Sequence, residues 1–242
     1  TLIATWLSSI ASIVAVSAWA VTRSTPFHTP ELVLVSHGDY RFVLGLVLDV
    51  TAVVFLMLVQ FTSGMVIRFS RIYLHREPGF ARFFAVVLMF RGGMCLLTLA
   101  DHLDLLFVGW EIVGLASFLL IAFYYERKQA VRNALKTFSI YRVADVGMLL
   151  GAYLEHTSGH TGVGLLLLLA AAGKSAQFPF SFWIARAMEG PTPSSALFYG
   201  ALSVHAGAYL LLRTYPIWGS VTLVHVCVGV LGLLTAILCT LI

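Results

Sequence analysis

The sequence predicts an all-α, polytopic transmembrane helix bundle, on three observations. Hydrophobic residues make up 60% of the 242 and charged residues 11%, whereas a soluble domain needs about a quarter of its residues charged to cover its surface. Mean hydropathy is +0.93. Apolar runs of the roughly 20 residues needed to cross about 30 Å of hydrocarbon recur along the chain, separated by short polar breaks. One buried core cannot absorb so much apolar surface, so the solvent is lipid. With no linker, low-complexity run or sequence repeat to set off a second unit, residues 1–242 read as a single transmembrane domain.

Eight helical segments are expected, at about 1–21, 42–67, 81–100, 103–125, 131–154, 162–188, 193–213 and 219–242. The first is apolar for too long to be a signal peptide and lacks a cleavage site. The polar stretch 26–41 reads as an external loop leading to the second. A helix break is expected at Lys174–Pro179 in the sixth: Gly173, Lys174 and Gln177 lead to Pro179, which removes a backbone donor and crowds the preceding turn. Broken apolar helices are tolerated where they are buried or line a cavity, and they point to a transport site. A chain that opens on Thr1 and stops at Ile242 inside an apolar run is expected to be part of a longer protein.

The formal charge of +4 reflects topology rather than a nucleic-acid partner, because basic residues collect in cytoplasmic loops. Arg68, Arg71, Arg76 and Arg82 surround one loop, and Arg127, Lys128 and Arg132 surround the loop two helices later. Both therefore face the cytoplasm, and Thr1 lies near the same side. The expected location is multi-pass, in the bacterial inner (cell) membrane, with the bilayer itself as one partner. Cys95, Cys227 and Cys239 are isolated in apolar runs, without metal-ligand spacing or a disulfide framework. No P-loop, dinucleotide fingerprint, iron–sulfur set or zinc motif is present. The chain is expected to carry no metal, no cofactor and no redox chemistry of its own, so any driving reaction sits on a partner.

Ionisable residues inside the apolar segments carry the chemistry. Asp104 and Glu111 are seven apart in segment four, hence on one face. A carboxylate as deep as Glu111 normally faces the bundle interior and marks an ion or proton route; the alternative is a structural ion pair between helices. Lys174 stands at the break of segment six. Buried lysines release protons readily, whereas snorkelling to the interface is the other reading. In segment five, Arg142 and Asp145 are three apart and suit a structural pair on one face. Lys136, earlier in the same segment, suits a modulating role or an interface anchor. His205 in segment seven titrates near physiological pH and is either a relay group or a hydrogen-bonding helix contact.

Two long runs carry a resemblance. DHLDLLFVGWEIVGLASFLLIAFYY and AAGKSAQFPFSFWIARAMEGPTPSSAL closely resemble the antiporter-like membrane subunits of respiratory complex I. Within that superfamily the distal L (mitochondrial chain 5) branch is most similar. The Mrp-type antiporter subunits and the membrane subunit of inorganic-carbon accumulating complexes are its relatives. The resemblance covers about 42–213. It implies a proton-translocating subunit in a multi-subunit complex, with Glu111 and Lys174 as the relay pair. It also implies two inverted five-helix repeats, of which this chain covers the first, about 81–213. The family follows its Gly-Pro-Thr-Pro motif with a histidine where this sequence has Tyr199. His205, six residues on, stands where Mrp-type subunits often have a lysine, so the relay is expected to be rebuilt around it. The alternative implied by the same resemblance is a proton-conducting subunit that powers inorganic-carbon uptake beside a soluble, zinc-containing, carbonic-anhydrase-like partner.

Overall fold

The computed structural model describes residues 2–21, 25–37, 40–155, 160–197 and 202–241. Its long helices are α1 (Leu2–Val21), α2 (Val50–Tyr73), α3 (Phe80–Leu99), α4 (Leu103–Ile121), α5 (Lys128–Glu155), α6 (His160–Lys174) and α11 (Thr222–Leu241). Short helices among the described residues between α6 and α11 are α7 (Phe182–Arg186), α8 (Thr192–Ser195), α9 (His205–Arg213) and α10 (Tyr215–Trp218). By length and composition α2, α3, α4 and α11 can each cross a bilayer. The protein is a polytopic helical membrane bundle.

Segment two is the main correction to the expected boundaries. Residues 40–44 and 47–48 are strands, not helix, and α2 starts only at Val50. Asp49 decides this: its carboxylate accepts from the backbone N–H of Ala52 at 2.7 Å, satisfying one of the donors that a helix start leaves without a partner. Upstream, β3 (Tyr40–Leu44) pairs antiparallel with β2 (Leu32–His37), and β4 (Val47–Leu48) with β1 (Phe27–His28). The expected loop at 26–41 is thus partly a pair of hairpin strands. At its other end α2 runs on to Tyr73, through Arg68 and Arg71. Cations in a last helical turn are favourable beside the partial negative charge of the C-terminal carbonyls.

The hairpin end is tied to the bundle by charge. Arg213 at the end of α9 reaches Asp49 at 2.5 Å and Asp101 at 3.7 Å, and His28 meets Asp101 at 2.7 Å. At the arginine-rich end, Arg82 donates to the Phe123 carbonyl at 2.7 Å and lies over the Tyr125 ring. That packing helps end α4 at Ile121, short of the expected 125.

Glycine sets how closely the central helices approach, as at many membrane helix contacts. A Cβ on Gly109 of α4 would lie 2.6 Å from the backbone nitrogen of Leu97 in α3, and one on Gly147 of α5 would lie 2.7 Å from the Leu166 carbonyl of α6. Backbone cannot yield as a side chain can. Gly109→Ala is therefore expected to force α3 and α4 apart and to cost about 1–3 kcal/mol. A lowered thermal-unfolding midpoint in detergent is the readout, and an unchanged midpoint would contradict the contact.

Segment six breaks where expected. α6 ends at Lys174, and the chain resumes as α7 and a 3-10 turn, Ala187–Glu189. The N–H of Gln177 bonds the Ala172 carbonyl at 2.9 Å, and Ala176 adopts a positive φ of 51°. This is the left-handed closure usually given to glycine. An alanine there costs about 1 kcal/mol, so the surrounding packing must hold the break. Segment seven is also broken, into α8 and α9. Pro191 and Pro193 open α8, where a missing N–H is tolerated; before α9 starts at His205, residues 202–204 form a bend and turn. Tyr199 lies outside the described residues.

Candidate functional site

Lys174 is sealed inside the bundle, 1% exposed. Three elements position it. The end of α6 carries it, and the carbonyls of a helix terminus favour a cation. Gly173 lets α6 press onto α5: a Cβ there would lie 2.2 Å from that of Ala144. Trp183 of α7 closes the break by donating its indole N–H to the Gly173 carbonyl at 2.9 Å. The lysine Nζ then donates to the Trp110 carbonyl of α4 at 3.2 Å. It faces the rings of Trp110 and Tyr141 at 4.8 and 4.4 Å, a cation–π setting for an otherwise desolvated charge.

Beside it lies a network of two carboxylates and one guanidinium. Arg142 of α5 forms an ion pair with Glu111 of α4 and another with Asp145 of its own helix at 2.8 Å. Asp145 is 4% exposed and also accepts from the Trp110 indole N–H at 2.5 Å. Trp110 thus joins the two halves, its backbone holding Lys174 and its side chain holding Asp145. Gly114 gives them room, since a Cβ on it would sit 3.0 Å from Lys174 Nζ and 3.5 Å from Arg142 Nη2. Glu111 Oε1 is buried without a hydrogen-bond partner among the described residues.

The arrangement sharpens what spacing suggests. Arg142 does pair with Asp145, but it also takes Glu111, so the glutamate's ion pair is with Arg142 and not with Lys174. Asp104 sits in the first turn of α4, about 10 Å from Glu111 along the axis at 1.5 Å per residue, and serves the helix N-terminus. Lys136 is exposed, and no ion pair joins it to the network. His205 opens α9 on an exposed position, without a hydrogen bond or ion pair to the network among the described residues. The break residues Gly173 and Pro179 flank Lys174 as anticipated, the Phe178–Pro179 bond being cis.

Two groups are absent from the sequence reading. Trp110 joins the halves, and its signal was only its position beside Glu111. Arg91 is a further buried cation in α3, 3% exposed, donating to Ser9 of α1 at 2.9 Å. An arginine inside VVLMFRGGMCLL is itself a signal. Among the described residues no group of three or more His, Cys, Asp or Glu is placed to hold a metal ion.

Residues 100–242 match the family model described as NADH:quinone oxidoreductase/Mrp antiporter, TM. The chain belongs to this family. Residues 34–84 match a second model, that of the N-terminus of complex I chain 5. NADH-quinone oxidoreductase subunit L of Mycobacterium tuberculosis H37Rv is 35% identical over 227 residues, which covers 86% of this chain and 36% of that protein. Subunit L of Escherichia coli K12 is 36% identical over 234 residues, covering 88% and 38%. NADH-ubiquinone oxidoreductase chain 5 of Sus scrofa is 35% identical over 236 residues, covering 88% and 39%. A structure of the Mrp complex from Dietzia sp. DQ12-45-1b superposes with a TM-score of 0.74 at 29% identity, over 89% of this chain and 26% of that one. This antiporter-family chain thus spans less than two fifths of the length of these curated relatives.

Proposed function

We propose that the chain carries proton-translocating machinery of an antiporter-like membrane subunit, within a larger complex of the kind its relatives are named for. The carrying observation is Lys174: a fully buried amine at a broken helix, beside an arginine shared by two carboxylates. Arginine holds its proton under all ordinary conditions, so it acts as a fixed charge, while Lys174 and Glu111 exchange protons. In the low effective dielectric of the site a small displacement of Arg142 changes the field at Lys174 substantially. A partner that moves Arg142 between Glu111 and Asp145 thereby sets whether Lys174 holds or releases its proton. Lys136 and His205 are modulating and onward positions in this scheme. Segments three to seven, about 81–213, form the first of two inverted repeats, and the bacterial inner membrane is the setting.

The relatives described above favour the quinone-oxidoreductase and Mrp branches. The inorganic-carbon alternative, with its zinc-containing soluble partner, rests on the sequence resemblance alone. Affinity purification of the complete complex separates them: other oxidoreductase or Mrp membrane subunits support the first reading, and a stoichiometric zinc protein the second. Proton translocation itself is tested by Glu111→Gln. In proteoliposomes with a pH-sensitive dye, proton flux is expected to fall by at least about a hundredfold, the usual worth of a positioned proton-transfer group, with complex yield retained. Full flux from that variant sinks the relay.

A further inference from the structure

We infer that Glu189, Asn133 and Thr137 form a proton uptake route to Lys174 from the arginine-rich end of the bundle. The inference rests on the proton-translocating reading above. Asn133, Thr137, Tyr141 and Asp145 recur every fourth residue along α5, and each is at most 4% exposed. Residues four apart share a helix face and rise about 6 Å per step, a gap that one bridging water can span. Arg132 and Lys136, which immediately precede Asn133 and Thr137 in sequence, are exposed and lie off this face.

Each end of the row meets an ionisable group. At the outer end, Asn133 Nδ2 donates to Glu189 Oε1 at 3.1 Å. Glu189 closes the 3-10 turn after the helix break and is half-buried, so its carboxylate stays within reach of water. At the inner end, the Tyr141 ring lies 4.4 Å from Lys174 Nζ, and Asp145 belongs to the Arg142 network. Thr137 supplies the middle. The helix hydroxyls of Thr62, Ser63, Ser117 and Ser139 each donate to the carbonyl one turn back. Thr137 Oγ1 does not, and it is buried without a hydrogen-bond partner among the described residues. A buried hydroxyl left open in this way is where an ordered water belongs. The proton balance is simple. The Glu189 carboxylate takes a proton from the aqueous side and gives it to water held by Asn133 and Thr137. The neutral Lys174 amine accepts it, and Glu189 returns to carboxylate.

Packing alone gives a different result from uptake in the same variants. Glu189→Gln keeps the oxygen that accepts from Asn133 but cannot carry a proton, and Thr137→Val keeps the shape without the hydroxyl. In the complete complex in proteoliposomes, Glu189→Gln is expected to slow proton flux about tenfold or more. Glu189→Asp should restore most of it, and Thr137→Val should slow it severalfold, all with unchanged thermal midpoints. If both Glu189→Gln and Thr137→Val keep full flux while Lys174→Ala abolishes it, the uptake route is overturned and the translocation reading stands. If flux falls only in step with the thermal midpoint, the row is packing and the route is likewise overturned. If Lys174→Ala itself retains flux, the translocation reading falls.

Discussion

Lys174→Ala is expected to abolish proton translocation by the complex, and Lys174→Arg to be just as inactive. The two substitutions separate charge from proton release. Arginine keeps the positive charge, the cation–π contact with Trp110 and Tyr141 and the capacity to donate to the Trp110 carbonyl. It cannot give up its proton. If Lys174 served only to balance Glu111 and Asp145, arginine would substitute for it. If Lys174 is loaded and unloaded in each cycle, both variants lose at least about a hundredfold in flux. The measurement is dye-reported proton uptake in proteoliposomes, normalised to assembled complex. An active Lys174→Arg protein would reduce Lys174 to a static counter-charge.

Arg142→Met carries the second large effect, on stability as well as transport. It removes the cation shared by Glu111 and Asp145. Asp145, 4% exposed, then keeps only the Trp110 indole N–H. Removing one partner of a buried ion pair typically costs about 3–5 kcal/mol because the other charge is stranded. The loss at Glu111, whose side chain is 26% exposed, is smaller because water screens it. A clear drop in thermal midpoint is expected. Adding Asp145→Asn and Glu111→Gln to Arg142→Met removes the stranded charges and should recover much of the midpoint without recovering flux. A triple variant that pumps normally would show the network to be structural only.

The segment pattern was legible because lipid imposes a simple rule: each crossing must satisfy its own backbone and present apolar side chains. Hence α3, α4 and α11 begin and end within a few residues of expectation. The rule fails at segment two, where residues 42–48 are as apolar as a helix but most of them belong to strands. Hydropathy does not register the Asp49 cap or the hairpin pairing. It fails again at segment seven, where the bend and turn at residues 202–204 interrupt an apolar run that hydropathy reads as continuous.

Burial of charge was legible for the same reason: Glu111, Lys174, Arg142 and Asp145 stand out in apolar runs, and the Gly173–Pro179 stretch announced the break. Which charge meets which was not. Spacing along one helix gave Arg142 with Asp145, but the second ion pair of Arg142, to Glu111, joins residues 31 apart in sequence on different helices. Trp110 and the row from Asn133 to Asp145 acquire meaning only once α4, α5 and the end of α6 are packed together. Composition and hydrophobic period, which answer to the solvent, were enough to read a membrane bundle that carries acids and bases within its helices. That an arginine stands at the centre of those charges emerged with the packing of α4 against α5, because ion pairing depends on distances of a few ångströms between helices.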